Sequence, residues 1–470
     1  MGTLSASLLG AANALDTYQY ALSITQNNIG NASTPGYAKQ EAVLQARPFD
    51  PAEGLAGGVS PGPTVNSRDL LAERGVWQQA AAQGDASARN AALATVQNAL
   101  PVSDGSGIPA ALTAFFNAAS AWSASPNDGS ARQAVMDSAG SLVASFQITA
   151  AAVANASRNT DQSIHDTVDQ INRLTTQLAN LNAGVQNGGQ HDAGLQAQIY
   201  SALETLAGLV DITVLPQQDG TMSVSLTGGA PLVIGNDSYA LSAGAAAAPA
   251  NPPIDTAAPP HTVIRGADGS DITSQIKSGT LHGLLQVRNV TIPGLTGDAS
   301  QPGALNELAQ TFAGRVNEIV QAGVATAPGL FVTDPAHPTS AAAKLALDPA
   351  MSASLLPATD QNGVSNGVPL ALAALASPQQ DADKLDSVSY MQFYGDTTAH
   401  VGGQLNQAQS DQDLSGQLVA QARSLRQTES GVSLDEEAMH VLQFQQAYQA
   451  VAKLVSTLDN LTQVVINMMQ

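Results

Sequence analysis

At 470 residues, the chain can bury the cores of two to four domains, and its lack of cysteine excludes disulfides, thiolate metal sites and thiol nucleophiles. Its 38 acidic residues against 17 basic give a net charge of -21, which excludes a phosphate-tracking surface, so no nucleic acid is expected as a partner. Only 12% of residues are charged and 4% aromatic, leaving a surface of amides and hydroxyls that suits packing against identical copies with few charges to desolvate, or that equally reflects a drift toward an Ala-rich composition.

The first eight residues lack the basic region and cleavage site of a secretory signal. No run reaches the roughly eighteen uninterrupted apolar residues of a membrane span, so no membrane is expected. Over residues 3–29, Leu4, Leu8, Ala11, Leu15, Tyr18, Leu22, Thr25 and Ile29 step by alternating fours and threes. That is a heptad seam, and it must lie against another helix. The helix meets the turn-forming residues 31–37. A weakly alternating extended segment follows to residue 45, then a Pro/Gly-rich stretch over 48–63. Helices are predicted at about 67–99, 108–122, 128–187 and 196–209. Ser125 is the candidate cap of the third, with Pro126 near its first turn. Its stripe of Ile164, Val168, Ile171, Leu174, Leu178, Leu181 and Val185 reads as intramolecular core, on a rod that reaches about 80–90 Å.

At Val210 the period changes to two. Val210, Ile212 and Val214 alternate, Asp219-Gly220 turns the chain, and Met222, Val224 and Leu226 alternate again, which predicts a small antiparallel region. The Ala/Pro segment 243–260 reads as a loop, with strands at 262–265 and 279–289. Residues 305–322 return to a helix, 326–383 read as a compact irregular insertion, and helices resume over 387–427. The last helix starts at Ser433, with Glu436 three residues on as a capping box and Asp435 and Glu437 favourable near its positive end. This acidic trio is therefore a helix start.

Val441, Phe444, Tyr448, Val451, Val455, Leu458, Thr462, Val465 and Met469 form a second heptad seam. The two termini are the obvious partners. A chain that places its strongest helical sequence at extremities that usually fray is using them for assembly. The fold class is mainly α with a β-rich middle domain: a terminal α-helical coiled coil, a helical rod domain and a small antiparallel β outer domain. The division is a coiled-coil helix 1–36 pairing with 432–470, a rod domain over 37–209 and 386–431, a β-rich outer domain 210–292, a helical return 293–325 and an outer insertion 326–385. This nesting sets the middle farthest from the termini.

The seven histidines are scattered, without metal-ligand spacing. No phosphate loop, dinucleotide fingerprint or nucleophile elbow is present. No catalytic residue, metal or cofactor is expected.

Residues 27–40 read Asn-Asn-Ile-Gly-Asn-Ala-Ser-Thr-Pro-Gly-Tyr-Ala-Lys-Gln. This resembles the signature shared by bacterial flagellar rod, hook and hook-associated proteins, in which Asn-Asn-Ile-x-Asn leads to Thr-x-Gly-Tyr. It marks Asn27, Asn28, Ile29, Asn31, Thr34, Gly36 and Tyr37. The C-terminal Ser-Gly-Val-Ser-Leu-Asp-Glu-Glu from Ser430, and Gln-Phe-Gln-Gln-Ala-Tyr-Gln-Ala from Gln443, are similar to the axial-protein C-terminus, in its hook-associated version. Ser125-Pro-Asn-Asp, Ala131-Arg-Gln-Ala-Val and the 171–182 stretch agree. The resemblance weakens over 240–260 and 326–385. Gly30 stands where relatives often have Ala or Ser, and its helix penalty of roughly 1 kcal/mol predicts an early helix end.

The resemblance implies a mechanical role: unfolded export through the flagellar type III channel, then polymerisation outside the cell at the distal end of the hook, joining hook to filament. The implied partners are copies of itself, the flagellar hook protein, the second hook-filament junction protein, and a cytoplasmic export chaperone at the C-terminal helix. Another axial component, hook or distal rod, is the nearest alternative, although the long helices of 67–209 argue against it. An enzyme carried on an axial scaffold is the remote one, and 240–385 groups no acids, bases or nucleophiles.

Overall fold

The computed structural model describes residues 2–50, 55–101, 105–249, 252–324 and 326–469. Helix α1 (Gly2–Asn31) runs through Gly30, because the Asn31 amide reaches back to the Asn27 carbonyl at 3.0 Å and holds the last turn. The Pro/Gly-rich stretch after it forms a ribbon. Strand β1 (Gln40–Ala46) pairs antiparallel with β4 (Val59–Asn66), and β2 (Phe49–Asp50) with β3 (Leu55–Ala56) carries the ribbon outward. Pro61 faces Leu44 across a register shift, where a missing N–H is tolerated.

Helix α2 (Leu70–Asn98) begins later than the sequence suggests, since Asp69 caps it, accepting from the Leu71 and Ala72 N–H groups. Helix α3 (Gly107–Ala124) ends at Ser125, and α4 (Gly129–Gln186) is capped by Asp128 instead. Ser125 thus closes one helix rather than opening the next. Helix α5 (Ala193–Leu209) follows, capped by Asp192.

Four strands, β5 (Ile212–Pro216), β6 (Met222–Leu226), β7 (Pro231–Ile234) and β8 (Asp237–Ser238), form an antiparallel sheet in chain order. The Ala/Pro segment begins as a strand, because β9 (Ser242–Ala245) pairs with β10 (Thr262–Arg265). The intervening loop is pinned by Asp255, whose carboxylate meets His337 Nδ1 at 3.0 Å and the Thr339 N–H at 3.2 Å. Residues 279–289 are helical rather than extended: α6 (Thr280–Gln286) runs through a π turn (Val287–Thr291) into α7 (Ile292–Thr296). Buried Leu281, Leu284, Leu285 and Arg288 lie at helical spacing, and a short apolar run leaves that period ambiguous.

Helix α8 (Ala304–Gly323) leads into the irregular stretch, which holds β11 (Phe331–Val332), α9 (Ala341–Lys344), β12 (Ala346–Leu347) and α10 (Gly367–Ala374). Helices α11 (Tyr390–Ser430) and α12 (Leu434–Met469) complete the chain.

Two hydrophobic cores are strung on α4. Near its start, Val135, Leu142 and Phe146 pack with Phe115, Trp122, Phe312, Leu345, Leu372 and Tyr390; the Phe312 and Tyr390 rings meet edge to face at 5.3 Å. From Val153 onward, Ile164, Ile171 and Leu178 pack with Val96, Leu203, Val224, Val233, Ile264 and Leu284. The strands therefore share a core with α2, α4 and α5. They lie along the second half of α4, where Asn182 Nδ2 donates to the Met222 and Gly235 carbonyls at 2.9 and 2.7 Å. Helix α4 is long and apolar enough by composition to cross a membrane, but its apolar stripe is spent on these two cores.

Helix α11 runs antiparallel to α2, with Tyr394 Oη donating to the Pro101 carbonyl at 3.1 Å at one end and Arg426 Nη1 on Glu73 at 3.2 Å at the other. The end farthest from the chain termini is accordingly the core of α3, α8 and residues 326–385, where the sequence nesting places the β-rich middle.

Candidate assembly interface at the paired termini

Helices α1 and α12 pack antiparallel: Tyr18 and Phe444 approach to 6.5 Å between ring centroids, and Asn28 Nδ2 donates to Glu437 Oε2 at 3.1 Å. On α1, Ala11 is buried, Leu4, Leu8, Leu15, Tyr18 and Leu22 are half-buried, and Ile29 is exposed. On α12, Val441, Phe444, Tyr448, Val451, Val455 and Leu458 are half-buried and Val465 is exposed. The side chain of Met469 lies outside the described residues. The seams thus face one another without closing.

A second stripe of α1 is fully buried and made of small residues: Ala11, Ala14, Thr17, Ala21, Thr25 and Asn28. The ribbon lies on it, with Thr17 Oγ1 donating to the Val59 carbonyl at 3.4 Å. Short side chains let backbone come this close.

Toward its C-terminus α12 carries another apolar row, Leu454, Leu461, Val464 and Met468, all exposed, Met468 to 82%. The spacing of seven, three and four is again that of a seam.

The family-like signature forms the root of this pair. Asn28, only 1% exposed, uses its whole amide: Nδ2 donates to the Gln40 carbonyl at 2.8 Å and to Glu437, and Oδ1 accepts from the Gln40 N–H at 3.0 Å and from Tyr37 Oη at 2.9 Å. Asn27 Nδ2 donates to Tyr37 Oη at 3.4 Å. Asn31 Oδ1 accepts from Thr34 Oγ1 at 3.1 Å, and the Thr34 carbonyl accepts from the Tyr37 N–H at 3.1 Å. Burial, reinforced by the nearby Glu437 carboxylate, pushes the Tyr37 phenol up to about 12. Gly36 has φ +76°, and a Cβ there would stand 2.3 Å from the Ala197 carbonyl oxygen. Only glycine fits.

Beside the signature lies a buried polar knot. Arg68, whose Nη2 donates to the Gly36 carbonyl at 2.6 Å, pairs with Glu73 and rests its guanidinium 3.6 Å over the Tyr200 ring. Arg426 joins Glu73 to Glu204, reaching the latter at 2.6 Å, and Arg423 adds a contact to Glu204 at 2.8 Å. Burial alone would raise the Glu204 carboxyl, but these two arginines outweigh it and hold the group low. Lys39 stitches the backbone: its N–H donates to the Ser430 carbonyl at 3.0 Å, and its carbonyl accepts from the Ser67 N–H at 2.9 Å.

Sequence reasoning missed Lys39, Arg68, Glu73, Glu204 and Arg426, and it treated Glu437 as a helix-start acid alone. In the structure Glu437 is fully buried against Asn28, while Glu436 turns to Lys39 Nζ at 3.2 Å. One signal was available. In a chain only 12% charged, charges set in Ala/Gln-rich helices are scarce enough to ask what each one pairs with. Among the described residues, no three His, Asp or Glu side chains group to hold a metal ion. Hydrogen bonds and ion pairs fix the root, and apolar rows of both helices stay exposed.

A family model described as flagellar hook-associated protein FlgK helical domain matches residues 93–330, from the end of α2 past α8. The model for the C-terminal region of the flagellar basal body rod FlgEFG proteins matches residues 426–468, the last turn of α11 and nearly all of α12. A Bacillus subtilis (strain 168) protein named flagellar hook-associated protein 1 is 27% identical over 495 residues, covering 97% of each chain. Its Escherichia coli (strain K12) namesake is 26% identical over 334 residues, 68% of this chain and 58% of its own. The solved flagellar hook junction protein FlgK from Burkholderia pseudomallei superposes with a TM-score of 0.59 over 76% of this chain and 100% of its own; at 18% identity the likeness is one of fold.

Proposed function

The chain belongs to the flagellar hook-associated protein FlgK family, and on that premise we propose that it polymerises at the distal end of the hook and joins hook to filament. As a member of that family it is a structural component of the flagellum. The observation that carries the finer reading is the exposed row Leu454, Leu461, Val464 and Met468 on a helix whose other seam already faces α1. A contiguous apolar surface of this kind marks a protein contact, and two seams on one helix suit a layer of many copies.

In this reading the terminal pair, residues 1–36 with 432–470, is the assembly element. Its assembly seam is built from Leu4, Leu8, Leu15 and Leu22 against Val441, Phe444, Tyr448, Val451, Val455 and Leu458. The hook protein lies below, the second junction protein above, and identical copies surround the axis. A cytoplasmic chaperone covers the apolar C-terminal helix before export through the type III channel, and the protein acts outside the cell.

Leu15→Asp or Val455→Asp removes up to roughly 1.5–3 kcal/mol of the apolar burial the assembled seam provides, and the carboxylate placed there adds a further penalty. Cells carrying either variant are expected to show intact hooks, filament protein shed into the medium and no swimming, whereas Val224→Asp destabilises the body instead. If the two seam variants are exported at normal levels and the cells swim, the reading is wrong.

A further inference from the structure

Helix α11 carries an exposed leucine row of its own. Leu414, Leu418, Gln421, Leu425 and Thr428 step by four, three, four and three, and all of them are exposed, which is the pattern of a seam without its partner. The positions of this stretch that the core uses, Ser415 and Val419, lie on another face. Beside the row, the flank of α2 offers Leu71, 75% exposed, and Gly75. The two helices bound an open groove of about 540 Å³, lined by Gly75, Gln79, Leu418, Ala422 and Leu425 among others. A Cβ at Gly75 would meet nothing within 4 Å, so no contact inside the chain calls for glycine at a helical position that it weakens. What the glycine provides is room over the groove.

We propose that this groove receives the outward row of α12, Leu454, Leu461, Val464 and Met468, from a second copy of the chain. The two rows match in spacing. Laid antiparallel, Leu454 meets Leu425, Leu461 meets Leu418, and Val464 and Met468 straddle Leu414. A parallel setting brings at most two of the three α11 leucines opposite apolar residues of the row. The antiparallel setting also carries Lys453 to within a helical turn of Glu429. Lys453 is the sole lysine or arginine of α12, both residues are exposed, and neither has a partner among the described residues. Opposite charges at the rim fix orientation more than affinity.

The occupant comes from another copy because Leu454 lies about 30 Å along α12 from its start, on a helix whose inner face is held by α1. Two outward rows laid on each other would close at a dimer, whereas a row entering a different surface leaves each copy with a free row and a free groove, which propagates. That such propagation builds a junction layer rests on the assembly reading above; the pairwise contact does not.

The lack of cysteine permits a direct test with full-length single-cysteine variants, one of them size-tagged, mixed in concentrated solution and oxidised. Leu461→Cys with Leu418→Cys is expected to give at least about tenfold more mixed dimer than Leu461→Cys gives with itself, reflecting the raised local concentration of docked thiols. Leu454→Cys is expected to prefer Leu425→Cys over Leu414→Cys by a similar factor. Gly75→Phe in the Leu418→Cys chain fills the groove, and the mixed yield falls at least about fivefold.

A statistical mixture of dimers, a Leu461→Cys chain that links chiefly to itself, or a preference of Leu454→Cys for Leu414→Cys overturns the proposal. If Gly75→Phe loses helix by circular dichroism, Gln421→Trp, at an exposed position of the row, must lower the yield instead, and an undiminished yield there overturns the proposal equally. Cross-linking in solution involves no hook, so it can fail while Leu15→Asp and Val455→Asp still abolish swimming, and it can succeed where they do not.

Discussion

Arg68 Nη2 donates to the carbonyl of Gly36 at 2.6 Å, so the side chain that leads into α2 also closes the turn after α1. The same guanidinium pairs with Glu73 and lies on Tyr200, which ties the terminal helices, α2 and α5 to one buried cation.

Arg68→Met is therefore expected to destabilise the chain by about 3–5 kcal/mol, since it leaves the buried Glu73 carboxylate to Arg426 alone. Arg423→Met, at the more exposed edge of the knot, is expected to cost no more than about 1 kcal/mol. Urea unfolding of the two variants side by side measures the contrast.

Gly36→Ala combines a left-handed φ with a clash against the Ala197 backbone, and a loss of about 2–4 kcal/mol is expected. Gly188 also has a positive φ, +107°, but open space around it, so Gly188→Ala is expected to cost only about 1–2 kcal/mol. Hydrogen exchange in the Gly36 variant should quicken over residues 32–39 and the facing turn of α5.

Burial alone would raise the Asp255 carboxyl, but hydrogen bonds from His337, Thr339 and the Ala257 N–H reverse this and hold it at about 2, against an ordinary 3.8. With the folded value depressed, the stabilisation is complete above about pH 4 and is lost as pH falls through 2, an effect on the order of 2 kcal/mol. Unfolding free energies of the native chain and Asp255→Asn, measured from pH 5 to about 2, should converge at the acid end.

At the alkaline end the sign reverses. The Tyr37 phenol is raised from 10.0 to about 12 by burial and by the Glu437 charge. Its protonated form is the one the fold favours, so that stabilisation is complete below pH 10 and is lost as pH rises through about 12. Tyr390 and Tyr394 are also pushed to about 12 by burial. Comparison with Tyr37→Phe by ultraviolet tyrosinate titration isolates the root of the terminal pair, and a native chain with no phenol titrating late at that position contradicts the assignment.

The helices and the terminal seams were legible because a period near 3.6 over many turns has no other physical solution. The stretch 279–289 was not. Leu281, Leu284, Leu285 and Val287 are too few to separate a buried helix from a strand, and the contacts that decide lie elsewhere, as in the 2.6 Å bond from His282 to Asp85. At the root of the terminal pair, the signature residues could be marked, but not what they hold. Asn28 and Glu437 are separated by 409 positions, and a sound local reason for an acid in a first helical turn concealed the long-range one.

The length of α4 gives the root a leverage out of proportion to its size. Thr34 and Pro35 sit beside Leu174 and Gln177, while the α3–α8 core begins at Val135, about 60 Å away along the helix. With no break between them, a change of only about 5° in how the knot seats the terminal pair sweeps that distant core through about 5 Å, roughly one helical turn. Where the far end of the chain falls relative to its terminal helices is thus decided by a handful of side chains around Arg68, at the short arm of the lever.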